Sequence, residues 1–334
     1  MKKLLFTAAA VLGAGMVSTF AQAATWQPTR PVEFIASAGA GGGTDVFART
    51  IQTAINKNKL LAQSVIVTNK GGGSGAEAYV YAKTNAKDPH KVYFGTQDVY
   101  LLPIGSKLSY TPADLTPVIS MLFDPFLLWV QPDSGITDIP SFVAKAKAKA
   151  NPAGFKAGGA KAKEADETLV SLIKGATGIN VRYIPYKSGS EVATQLAGKH
   201  LDFNVNNPAE SIEQWRAGVQ RPLCVFSAKR MPGTTPVGEG KSWSDIPTCK
   251  EAGLNVRPFE QPRTIWLAAN MDPDVVAFYK DLFRKVTQTP EWKAYIDRSV
   301  TIPTVMVDEE LRAFIATDKA GYEEIFNRNG WSAQ

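Results

Sequence analysis

The chain is poor in the side chains that most metal and nucleophilic chemistry uses: it has two cysteines and two histidines in 334 residues. His90 and His200 each stand in a polar turn. With no His-Glu-x-x-His, no clustered cysteines and no Gly-x-Ser-x-Gly, zinc and serine-hydrolase chemistry lack their usual parts. The glycine-rich segments do not end in Gly-Lys-Ser/Thr, which argues against a nucleotide-hydrolysing P-loop. A relaxed dinucleotide pattern, Gly71-x-Gly73-x-x-Ala76, follows a strand, but the next strand ends at Phe94-Gly95 instead of an acid, and Asp98 comes too late. Beyond the N-terminus there is no run of about 18 apolar residues such as a membrane span needs. Charge of one sign is scarce as well: the formal net charge is +6, and removing Lys2 and Lys3 leaves +4. That excess eases the approach of an anion but forms no basic patch for nucleic acid. No cofactor and no metal is expected.

What is present begins with an export signal. Met1-Lys-Lys3, an apolar stretch from Leu4 to about Val17 and Ala21-Gln22-Ala23 make the basic, apolar and A-x-A pattern, so residues 1–23 are expected to be removed and the mature protein to be periplasmic. The remaining ~310 residues exceed what one core usually holds, so two domains are expected. An oxidising compartment permits a disulfide between Cys224 and Cys249; whether their Cα atoms lie close enough is not written in the sequence. Neither cysteine carries a mark of an activated thiol.

Strand-like runs at Val32–Ala36, Ser64–Thr68, Lys91–Thr96, Phe126–Gln131, Asn180–Pro185, Leu201–Val205 and Leu223–Ser227 alternate with helical patterns, which predicts parallel α/β sheets. Segments Gly105–Leu115, Asn151–Ala165 and Met231–Ser244 read as loops. Two glycine-rich loops, Ser37-Ala-Gly-Ala-Gly-Gly-Gly-Thr-Asp45 and Thr68-Asn-Lys-Gly-Gly-Gly-Ser-Gly-Ala76, each follow a strand and open into a helix. Unpaired N–H groups and the positive end of a helix dipole there suit a carboxylate or phosphate. The candidate anion cradle is Gly41, Gly42, Gly43, Gly72 and Gly73, with hydroxyls from Ser37, Thr44 and Ser74, and with Asp45 capping its helix. Gln97 and Asp98 follow the third strand, where α/β proteins place ligand contacts, and Phe126 is a candidate apolar wall.

These segments together resemble the solute receptors of tripartite tricarboxylate transporters. The resemblance rests on Pro31–Asp45, Val65–Ala76, Tyr183-Ile-Pro-Tyr-Lys-Ser-Gly-Ser-Glu191, Gly198-Lys-His-Leu-Asp202, Ser227-Ala-Lys-Arg230 and Asp245-Ile-Pro-Thr-Cys-Lys-Glu-Ala-Gly253, in order along almost the whole mature chain. It implies a two-lobed periplasmic binding protein fold of type II-like α/β architecture, hinged by crossing strands near Phe123–Phe126 and Ser227, with lobe 1 formed by 24–124 plus 231–334 and lobe 2 by 125–230. It further implies a small di- or tricarboxylate, possibly aromatic, held between the lobes by the glycine loops, and a monomer that delivers it to inner-membrane transporter subunits. Alternatives are a sensory receptor of the same fold signalling to a kinase, or an exported enzyme on an anionic substrate. By the same resemblance Arg263 is the candidate carboxylate clamp. Gly159 and Lys161 stand in the second-lobe loop, and Asn206 and Asn207 replace an Asp-Asn pair. Both departures predict a less negative second wall.

Overall fold

The computed structural model describes residues 26–148, 154–160 and 162–333; the expected export segment and Lys161 lie outside them. The chain opens with three strand-to-helix units: β1 (Val32–Ala36) into α1 (Gly43–Lys57), β2 (Val65–Asn69) into α2 (Ala76–Thr84), and β3 (Lys91–Gly95) into α3 (Asp98–Gly105). β4 (Leu115–Pro125) runs through Phe126 directly into β5 (Leu127–Val130). Then come α4 (Ile139–Ala148), β6 (Phe155–Ala160), α5 (Ala165–Thr177), β7 (Val181–Tyr186), α6 (Gly189–Ala197), β8 (Phe203–Asn206), α7 (Pro208–Arg216) and β9 (Arg221–Val225). The end of the chain supplies β10 (Glu260–Ala268), α8 (Pro273–Val286), α9 (Pro290–Ser299), β11 (Ile302–Met306) and α10 (Asp308–Asn329).

Two sheets result, ordered β11-β4-β10-β3-β1-β2 and β7-β6-β8-β5-β9. They are mixed, which corrects the parallel expectation: β10 is antiparallel to both β3 and β4, and β5 is antiparallel to both β8 and β9. β4 and β5 carry the chain from the first sheet to the second, β9 and β10 stand on either side of its return, and β11 is antiparallel to β4 at the edge of the first sheet. A second correction concerns Phe155–Ala160, read as loop and found as the strand β6. Its glycines are packing requirements: a Cβ on Gly158 would collide with Leu201, and one on Gly159 would lie 2.5 Å from Asp166 Cβ and from the Tyr183 hydroxyl.

The first sheet is covered on one face by α1, α8 and α9. Apolar spacing in α8 buries Val275, Tyr279, Leu282, Phe283 and Val286 against Phe34, Phe94 and Ile265. The second sheet packs Leu127 and Trp129 against Trp215 and Trp243, a mutually edge-on tryptophan trio. At the waist three chain passages are stitched together, Phe226 N donating to Phe126 O at 2.9 Å and Phe259 N to Phe226 O at 2.7 Å. Between the last two passages the chain stays with the second sheet. Thr248 pairs with Val225, Met231, Trp243 and Ile246 join the Trp129 cluster, and Cys224 is disulfide-bonded to Cys249 with a Cα separation of 4.8 Å. The chain re-enters the first sheet after Phe259, with β10.

Candidate functional site

The strands of both lobes end at one cleft of about 690 Å³, a size suited to a small metabolite. Its rim is built from strand-to-helix junctions: β1 to α1, β3 to α3, β6 to α5, β7 to α6 and β8 to α7. This is where α/β sheets place ligands, outside the carboxyl ends of strands.

The two glycine loops stand in direct backbone contact. A Cβ on Gly71 would lie 2.6 Å from Gly39 N and 2.8 Å from Ala38 C, and one on Gly75 would lie 2.7 Å from Ser37 O. Only glycine permits that approach, and Gly75 also has a φ of +101°, in the left-handed region. Asn69 clamps the pair by donating to Ala38 O at 3.0 Å and to Asp45 Oδ1 at 2.8 Å. The first helical bond of α1 runs from Val46 N to Gly42 O, so the amides of Gly43 and Thr44 precede it at the cleft wall.

Ser37, Gly41, Gly42, Gly43, Thr44, Ser74, Gln97, Asp98, Phe126, Asn207 and Arg263 all line the cleft. Asp45, Gly72, Gly73, Gly159 and Asn206 do not. Asp45 faces inward as a brace, accepting from Gly41 N at 2.8 Å, Arg49 Nε at 2.9 Å and Asn69. Burial works against its charge, but those donors outweigh burial and hold its carboxyl below the usual range. Gly72 donates its N–H to Glu77, away from the cleft wall, and Asn206 is buried, donating to Gly189 O at 2.8 Å.

Arg263 reaches the cleft already engaged. Only 8% exposed, it donates Nη2 to Asp124 Oδ2 at 2.6 Å and Nη1 to Thr44 Oγ1 at 3.2 Å, and a Cβ on Gly43 would lie 2.5 Å from Nη2. Burial opposes its charge, but Asp124 outweighs burial and raises its pKa. Its guanidinium fixes the first loop against β4 and β10.

The second wall carries Glu164, Asp166 and Glu210, none of which stood out in the sequence, with Lys187, Ser188 and Ser190 at the start of α6. Asp166 Oδ2 accepts from Ala160 N at 2.7 Å, and Asp166 is 7% exposed. Burial, then Glu210 and Glu164, push its carboxyl well above the ordinary value. Burial pushes Glu210 up to about 7, Asp124 adding to the rise and Arg263 opposing it. Both acids stand in the first turn of a helix, where acidic residues are ordinary dipole partners. Their convergence is a tertiary fact that no local signal announces.

Among the described residues no group of His, Cys, Asp and Glu is placed to hold a metal, and no helix is long and apolar enough to cross a membrane.

Comparison with known proteins agrees with this architecture. A "UPF0065 protein in gbd 5'region" from Cupriavidus necator is 28% identical over 312 residues, covering 92% of this chain and 90% of the relative. Among solved structures, a TctC solute binding protein from Polaromonas, without ligand, matches with a TM-score of 0.74 at 25% identity, covering 90% of this chain and 99% of that one. R. palustris Rpa4515 with adipate matches with a TM-score of 0.75 at 23% identity, covering 91% and 98%. The family described as tripartite tricarboxylate transporter family receptor matches residues 47–330. With its family profile spanning most of the chain and its two sheets meeting at one cleft, this protein belongs to the tripartite tricarboxylate transporter receptor family.

Proposed function

We propose that this chain is a periplasmic receptor that encloses a small organic carboxylate between its lobes and presents it to a membrane transporter. The observation that carries the reading is the contact of the two glycine loops, which sets the start of α1, at Gly43 and Thr44, beside Ser74 on the cleft wall. Each charge-assisted hydrogen bond to a carboxylate contributes about 1.5 to 3 kcal/mol, so a few reach the ~8 kcal/mol of micromolar affinity. The adipate of the R. palustris relative is a ligand of that chemical class. The lobes are assigned as 26–125 with 260–333, and 126–259, with the waist at Phe126, Phe226 and Phe259 as the hinge. A ligand that touches both walls binds the closed arrangement more tightly and shifts the population toward it, which is how occupancy becomes visible to a membrane partner.

A thermal-shift panel of C4 to C6 and aromatic carboxylates tests the reading, since a ligand at 100 times its Kd adds about 2.7 kcal/mol of stability. Recovery of the ligand unchanged at one-to-one stoichiometry identifies a receptor. Consumption of the ligand, or no response to any carboxylate, removes the proposal.

A further inference from the structure

We infer that the second wall of the cleft selects a ligand bearing a protonated amine at the end opposite its carboxylate, so that the preferred class is an ammonium carboxylate and not a plain dicarboxylate. This rests on the receptor reading above and concerns the distal end of the same site.

The argument starts from charge. Five carboxylate side chains line the cleft, Asp98, Asp124, Glu164, Asp166 and Glu210, against two described cationic ones, Lys187 and Arg263. Arg263 is neutralised where it stands by Asp124. On the second wall Glu210 makes no ion pair among the described residues, and its carboxyl lies against the Cα of Gly189, where any Cβ would collide with it. The glycine at 189 thus makes room for an acid facing the cleft. Across the cleft Gln97, 1% exposed, has its Oε1 without a hydrogen-bond partner among the described residues, an acceptor in want of a donor.

Helix starts at α5, α6 and α7 supply positive potential, yet they do not relieve the wall. Burial and Asp124 on β4 push the Glu210 carboxyl up to about 7 against the opposing Arg263 on β10 and the Asn207 amide, and Glu210 in turn helps push up Asp166 on α5. A second carboxylate brought there adds a like charge to a site that already resists one, whereas an ammonium relieves it. The first wall offers the amides at the start of α1 to the other end.

The sign of the pH dependence separates this from its rival, in which protonated Asp166 and Glu210 donate hydrogen bonds to a distal carboxylate. An ammonium holds Glu210 ionised, so binding expels a proton below neutrality, and affinity rises with pH through about 7, by up to about tenfold per unit. A distal carboxylate requires the protonated acid, so affinity is level below about 7 and falls as pH rises above it.

The experiment is calorimetric titration of the purified protein with three matched pairs: 4-aminobutanoate and glutarate, 5-aminopentanoate and adipate, and 4-(aminomethyl)benzoate and terephthalate, between about pH 5.5 and pH 8. In at least one pair the amine member is expected to bind about tenfold tighter or more, with affinity rising with pH. Glu210→Gln and Asp166→Asn, each checked for native circular dichroism, are expected to erase that preference. Tighter binding of the diacid, or affinity that falls with rising pH, overturns the inference and leaves the carboxylate receptor standing. Silence from both members of every pair counts against the receptor reading itself, and the inference falls with it.

Discussion

The two walls of the cleft are made differently. The first is backbone: glycines in contact, amides at a helix start, and one arginine whose charge is satisfied by Asp124 before any ligand arrives. The second is side chain, with Asp166 and Glu210 held in surroundings that resist their ionisation. Backbone donors fit any carboxylate and carry little information about the rest of the molecule attached to it. In the receptor reading proposed above, the second wall is left to distinguish one carboxylate from another.

The largest effect expected is at Asp124. Asp124→Ala leaves Arg263 buried without its counter-charge and is expected to lower stability by about 3 to 5 kcal/mol in chemical denaturation, while Asp124→Ala/Arg263→Met recovers most of it. A small loss from the single variant would mean that the arginine is not committed to the scaffold. Gly71→Ala comes next. The added methyl meets the Gly39 backbone, so about 1 to 3 kcal/mol of stability is expected to go, together with carboxylate affinity, in thermal melts with and without ligand. Unchanged affinity there breaks the claim that the first wall is built by loop contact.

The second wall behaves in the opposite sense. Because the folded state raises the Glu210 carboxyl from its ordinary 4.5 to about 7, the ionised group is a burden that grows as pH rises between those values. Glu210→Gln is therefore expected to be more stable than the parent by about 1 to 2 kcal/mol at pH 8, with the gap closing toward pH 5. Asp45→Asn provides the reverse sign and the smallest change, a loss of about 1 kcal/mol at neutral pH. The Asp45 carboxyl is depressed, so its contribution is present above the ordinary carboxylate range and is lost as pH falls through the lowered value, and the two melting curves should converge on acidification.

Much of the first wall was legible in the sequence. β1, β2 and β3 are short apolar runs ended by polar or glycine-rich segments, and the helix starts follow directly, so position in the chain placed Ser37, Thr44, Ser74 and Gln97 at the cleft. Asp45, read as capping its helix start, turns back to accept from the Gly41 amide just before that helix. The strand β6 was hidden because Gly158 and Gly159 read as loop residues, their requirement coming from Leu201, Tyr183 and Asp166, which are distant in sequence. β4 and β10 escaped the alternation rule because both are mostly buried along their length and carry prolines. The acidity of the second wall was unreadable, since Asp166 and Glu210 meet only through the pairing of β6 with β8.

The bond between Cys224 and Cys249 has a mechanical consequence. Three ribbons of chain join the halves of the molecule, and two of them, leaving at Phe226 and returning at Phe259, are covalently tied on the second sheet's side of the joint. In the hinge we propose, that coupled pair moves as one unit beside the lone ribbon at Phe126, and reducing the bond lets the two swing separately.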